Sequence, residues 1–164
     1  MCHAGPVLVR VAEALDAWIV ARNIEARAEG TPPLAACEIK LLGQTALLEQ
    51  NASLTLANTN DIDVRANYAH AVEQEFRRLV AREGKELDPV GHEIWMPRET
   101  RYMILFQGGL VTLLVADVEA VLISKALKAP AKNRSLLTEY LAKGASRRFL
   151  DMAKKYGVDL EQFL

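Results

Sequence analysis

Apolar residues at Val7, Val11, Leu15, Trp18 and Ile19 recur at helical spacing, with Arg10, Glu13, Asp16 and Arg22 falling mostly between them. That pattern predicts an amphipathic helix from Val7 to about Arg27, ended by Glu29-Gly30-Thr31-Pro32-Pro33. The period then changes from helix to strand. Cys37, Ile39 and Leu41 alternate with Glu38 and Lys40, so 35–42 reads as a short strand stopped by Gly43. Good helix formers fill 44–50. A polar approach through Asn58-Thr59-Asn60 leads into a strand over 61–65. Val72, Phe76, Leu79 and Val80 mark one side of a helix over 68–83, closed by Gly84.

Glu93-Ile94-Trp95-Met96 reads as a short strand ended by Pro97. Two more strands follow, 101–106 and 110–115, joined through Gln107-Gly108-Gly109 as a hairpin. Asp117 is placed to cap a helix over 118–127, because its carboxylate can accept from free N–H groups of the first turn. Pro130 interrupts, a helix resumes over 133–142, and another starts after Gly144-Ala145-Ser146 and runs to Tyr156, where Gly157 breaks it. Strands mixed with helices in this order predict an α+β or α/β domain with a helical C-terminal portion. The expected division is an N-terminal helix and loop (1–34), a sheet core (35–116) and the helical portion (117–164), all in one domain.

Composition narrows the picture only a little. Apolar residues make up 51% and charged residues 25%, and a net charge of −1 points to no polyanionic partner. The distribution is less even. From Lys125 to Lys155 there are nine Lys and Arg against Glu139 and Asp151, a flank suited to a phosphorylated ligand or to solvent. Cys37 sits in an apolar run and reads as a buried thiol, while Cys2 falls at an end expected to be mobile. Neither a disulfide framework nor a zinc spacing is present. The absence of a signal-like stretch or a membrane-length apolar run gives the expectation of a cytoplasmic protein with no membrane partner.

Asp61-Ile62-Asp63 carries the chemistry. In a strand the two carboxylates share a face while Ile62 points into the core, which presents two hard oxygen donors to Mg²⁺ or Mn²⁺. His70, His92 and Cys37 have no metal-ligand spacing, no serine lies in a nucleophile-elbow sequence, and Trp18 and Trp95 read as core or interface anchors.

Leu41-Leu42-Gly43-Gln44, then Asn60-Asp61-Ile62-Asp63, then Trp95-Met96-Pro97, Arg101, Asp117 and Ser124-Lys125 resemble, in that order, the nucleotidyltransferase superfamily. The narrower likeness is to bacterial nucleotidyltransferase-like proteins of type IV toxin–antitoxin systems, and it covers about Ala35 to Leu164. The resemblance implies a nucleotidyltransferase-like mixed β-sheet flanked by helices. It also implies metal-dependent transfer of a nucleoside monophosphate from an NTP to RNA, with tRNA as the leading acceptor, or to protein.

Residue by residue, Asp61 and Asp63 match the family's metal-binding pair and Gly43 the position where backbone nears the triphosphate. Gln44 and Arg101 join Gly43 as nucleotide-binding candidates, and Lys125 matches a phosphate-facing lysine. Glu93 is the candidate third metal-binding acid. Two departures leave a second reading open. Gln44 replaces a small residue, and Asn133 stands where the family often has a carboxylate. On that reading the chain is a degenerate, non-catalytic protein that binds nucleotide or a cognate toxin or antitoxin partner.

Overall fold

The first predicted helix is continuous from Val7 to Glu29 (α1) in the computed structural model, which describes residues 7–164. Cys2, with its expected mobile end, lies outside the described residues. Leu8, Val11, Ala12, Leu15 and Ile19 form the buried stripe of α1. β1 (Cys37–Leu41) follows with the anticipated alternation: Cys37, Ile39 and Leu41 are buried while Glu38 is exposed. Gly43 starts α2 (Gly43–Glu49) rather than merely preceding it.

The predicted strand over 61–65 is in fact two strands. β2 (Asp61–Ile62) and β3 (Val64–Ala66) belong to different sheets and part company at Asp63. The division has a local cause. Asp63 N–H donates to the buried Thr45 hydroxyl at 3.2 Å, and its carbonyl accepts from Leu42 N–H at 2.9 Å. Both backbone groups are thus taken by the β1–α2 junction, and the ladder changes partner there. α3 (His70–Arg82) is amphipathic as expected, burying Val72, Phe76, Leu79 and Val80.

Two differences from the sequence reading come next. β4 (Glu86–Leu87) was not anticipated, and it pairs in parallel with β2, Asp61 opposite Glu86 and Ile62 opposite Leu87. The expected strand at 93–96 does not form; Gly91–Glu93 is a single 3-10 turn and the chain after it is irregular. Side chains have consumed its carbonyls. Arg65 donates to His92 O and to Ile94 O (2.7 Å), and Ser124 donates to Trp95 O at 2.5 Å. The Ile94 and Trp95 carbonyls are thus taken by side chains rather than by a neighbouring strand.

β5 (Tyr102–Gln107) and β6 (Val111–Ala116) form the predicted hairpin. The main sheet runs β3-β1-β6-β5, with β1 antiparallel to β3 and parallel to β6. Ile39, Leu41, Leu113 and Val115 at its centre are fully buried, and α1 packs on β6, β5 and α3. α4 (Val118–Lys128) is capped by Asp117, which accepts from Ala120 N–H, and packs on α2. α5 (Arg134–Ala142) and α6 (Arg147–Tyr156), the latter capped by Ser146 and closed by Gly157 at φ 72°, complete the helical third. The molecule is therefore a mixed α/β domain built on a four-stranded mixed sheet. Among the described residues no helix is long and apolar enough to cross a membrane.

Asp16 ties α1 to the hairpin. One carboxylate oxygen accepts from Leu110 N–H at 2.7 Å and Val111 N–H at 2.9 Å. Asp16→Ala leaves both half-buried donors without a partner, so it is expected to cost about 1–3 kcal/mol, read as a lowered urea midpoint.

Candidate functional site

The β1–α2 junction, the Asp63 crossing point and the face of α4 enclose a cavity of about 300 Å³. Gly43, Gln44, Asp61, Asp63, Asp88, Lys125, Lys132 and Asn133 all line it. Asp61 and Asp63 thus share the cavity while Ile62, 1% exposed, turns into the core. Their sharing a face survives the break between β2 and β3.

Asp63 is held between two glycines. A Cβ on Gly43, whose φ is +57°, would stand 2.5 Å from Asp63 Oδ2. A Cβ on Gly91 would stand 2.9 Å from both Asp63 Cα and Oδ1. Gly43 therefore does two things no other residue does cheaply: it takes up left-handed backbone and lets the carboxylate lie against the helix start. The resemblance implies a close approach by phosphate at Gly43; the close approach visible in the fold is that of Asp63.

Asp88 was missed in the sequence. The parallel β2–β4 ladder extends by one bond, Asp88 N–H to Ile62 O at 2.9 Å, and this brings Asp88 beside Asp63. The Asp88 carboxyl lies near enough to raise that of Asp63. Nothing local signals it, because Asp88-Pro89 reads as a turn and β4 is only two residues long. Burial, then Asp88, then Asp61, push the Asp63 carboxyl up to about 6, against the pull of Lys125. Lys125 is half-buried; burial first, then Lys132, lowers its pKa, opposed by attraction to Asp63. The cavity floor thus has carboxylates that repel one another, facing ammonium groups on the α4 side that attract them.

Other candidates lie elsewhere or are engaged. Glu93 does not line the cavity; its side chain is 68% exposed and meets His92 at 3.9 Å. Arg101 lines a separate groove with Arg147, Arg148 and Lys155, and its own N–H donates to Asp117 at 2.7 Å. Gln44 does face the cavity, and its amide donates to Ala57 O at 2.8 Å, fixing the loop before Asp61. Asn133 donates to Ala129 O at 2.9 Å, serving the end of α4.

Asp61, Asp63 and Asp88 all offer oxygen, the donor type that a hard divalent cation takes. Among the described residues, no three acidic, His or Cys side chains form a group that could hold a metal ion. The raised Asp63 carboxyl has a consequence for pH. Its protonated form favours the native state below the ordinary value of 3.8, and that contribution is lost as pH rises through about 6. Discounted for partial exposure, the loss is about 1 kcal/mol. Asp63→Asn is expected to raise Tm at pH 7.5 by roughly 2–4 °C and to flatten the pH dependence between 4 and 7, measured by calorimetry.

Comparison with family models, curated proteins and solved structures gives no match for this chain.

Proposed function

We propose that this chain is a nucleotidyltransferase-like protein that transfers a nucleoside monophosphate from an NTP to an RNA acceptor. The observation that carries the reading is the junction at Gly43. There a strand enters a helix through left-handed glycine backbone, and the carboxylate of an Asp-x-Asp pair lies directly against it. Asp61 and Asp63 would hold Mg²⁺ or Mn²⁺, and that ion, when bound, supplies charge neutralisation on phosphate oxygens. The chain's own residues do the rest. Lys125 and Lys132 line the same cavity and attract the triphosphate as point charges. Free N–H groups at the α2 start face anionic ligands favourably, although with seven residues that helix contributes little alone. The half-buried setting strengthens each of these attractions over its value in water.

A transfer assay tests the reading: each labelled NTP with Mg²⁺ or Mn²⁺, total RNA and cell extract. Label on RNA supports it, and label on protein would move the acceptor class. Thermal shift adds a second readout, because a ligand that binds the native state raises Tm by mass action. Mg²⁺ with an NTP should raise Tm of the wild type and leave Asp63→Ala unmoved. The degenerate binding reading is favoured by Gln44, whose amide fills space at the helix start and is committed to Ala57 O. A nucleotide-dependent shift without any transfer would select it.

A further inference from the structure

A second cavity, of about 490 Å³, adjoins the first across a single side chain. Asp88 lines both. Beyond Asp88 its walls are Val64, Leu87 and Pro89 on the apolar side, with Tyr68 from the turn before α3. Arg65, Arg77 and His92 supply the polar side.

We infer that this cavity receives the acceptor, the terminal nucleoside of a single-stranded RNA, with its hydroxyl directed towards Asp88. The inference rests on the transfer reading of the Asp63 cavity. A transfer reaction needs two sites that meet at the reacting group, and these two cavities meet at Asp88. In the transfer the acceptor oxygen bonds to the α-phosphorus of the NTP. The bond from that phosphorus to the bridging oxygen breaks, and pyrophosphate leaves with the electron pair. The hydroxyl proton leaves to solvent water.

The lining chooses among acceptors. The cavity exceeds the lower size of small-ligand sites, so a nucleoside fits it better than a serine hydroxyl. Arg77 uses Nη2 for Glu73 at 3.1 Å, and Arg65 uses Nε and Nη2 for the His92 and Ile94 carbonyls. The remaining Nη1 group of each has no hydrogen-bond partner among the described residues, and neither does the Tyr68 hydroxyl. Unpaired bases are recognised by aromatic rings and guanidinium planes, with hydrogen bonds to base edges. Formal charges on the wall balance, Arg65 and Arg77 against Glu73 and Asp88, so it suits one nucleotide rather than a long phosphate track.

The test is fluorescence anisotropy of a labelled mixed-sequence single-stranded RNA of about a dozen nucleotides. Wild type is compared with Arg77→Glu and with Arg22→Glu, which reverses a charge on α1 where Arg22 pairs with Glu25 outside the cavity. Arg77→Glu should weaken RNA binding roughly tenfold, Arg22→Glu should not, and the Mg²⁺–NTP thermal shift should persist in both. RNA affinity indifferent to Arg77, or equally sensitive to Arg22, or no RNA binding by wild type, overturns the inference. Loss of the Mg²⁺–NTP shift in wild type instead defeats the transfer reading itself, so the two failures are distinguishable. Transfer of label to protein with RNA unbound would assign the cavity to a protein acceptor and also overturn it.

Discussion

Asp61→Ala should lower metal-dependent transfer by roughly 10³-fold or more, since losing one carboxylate of a cation site removes several kcal/mol of charge stabilisation. The fold should be untouched. Asp61 is exposed, and its backbone carries the local structure without the side chain: its N–H donates to Thr59 Oγ1 at 3.2 Å, and its carbonyl accepts from Thr59 Oγ1 at 3.1 Å. The carboxylate itself has no hydrogen-bond partner among the described residues. A Tm within about 1 °C of wild type, with transfer abolished, is the expected pair of results. Transfer that survives the change would remove the mechanism proposed for this cavity.

Gly43→Ala should be the most damaging conservative change in the site. Left-handed backbone costs a residue with a Cβ about 1–2 kcal/mol. The added methyl would also stand 2.5 Å from Asp63 Oδ2, so the carboxylate would have to shift, with Gly91 lying against its other oxygen. Overpacking of this kind adds about 1–3 kcal/mol. Together these lower Tm by roughly 5–15 °C for a chain of this size. A double-mutant cycle separates the causes. In an Asp63→Ser background, with the carboxylate gone, the Gly43→Ala cost should fall to the backbone part alone. A cost unchanged by Asp63→Ser would mean that the contact with Asp63 is not what demands glycine.

Much of the helical structure was legible because its signals are local. The stripe of α1, the apolar face of α3, the Asp117 cap and the Gly84 and Gly157 stops each depend on residues within a few positions of one another. The hairpin of β5 and β6 was legible for the same reason. Glu93-Ile94-Trp95-Met96 misled because its alternation is genuine, yet Arg65 and Ser124 claim the carbonyls a strand would use. Arg101, expected near the nucleotide, instead lines a groove with Arg147 and Arg148 of α6, its backbone N–H held by Asp117.

The sequence by itself determined the helices, the hairpin, the burial of Ile62 and the pairing of Asp61 with Asp63 on one cavity. Periodicity, caps and a spacing of two residues suffice for these. Only the tertiary structure decided that Asp63 would sit at a switch between two sheets, pressed by Gly43 and Gly91, and that Asp88 would join it. Those outcomes depend on parallel pairing of β2 with β4 and on backbone bonds to Thr45 and Leu42, contacts between segments far apart in the chain. Such pairings leave no period in either segment, because each strand is too short to have one.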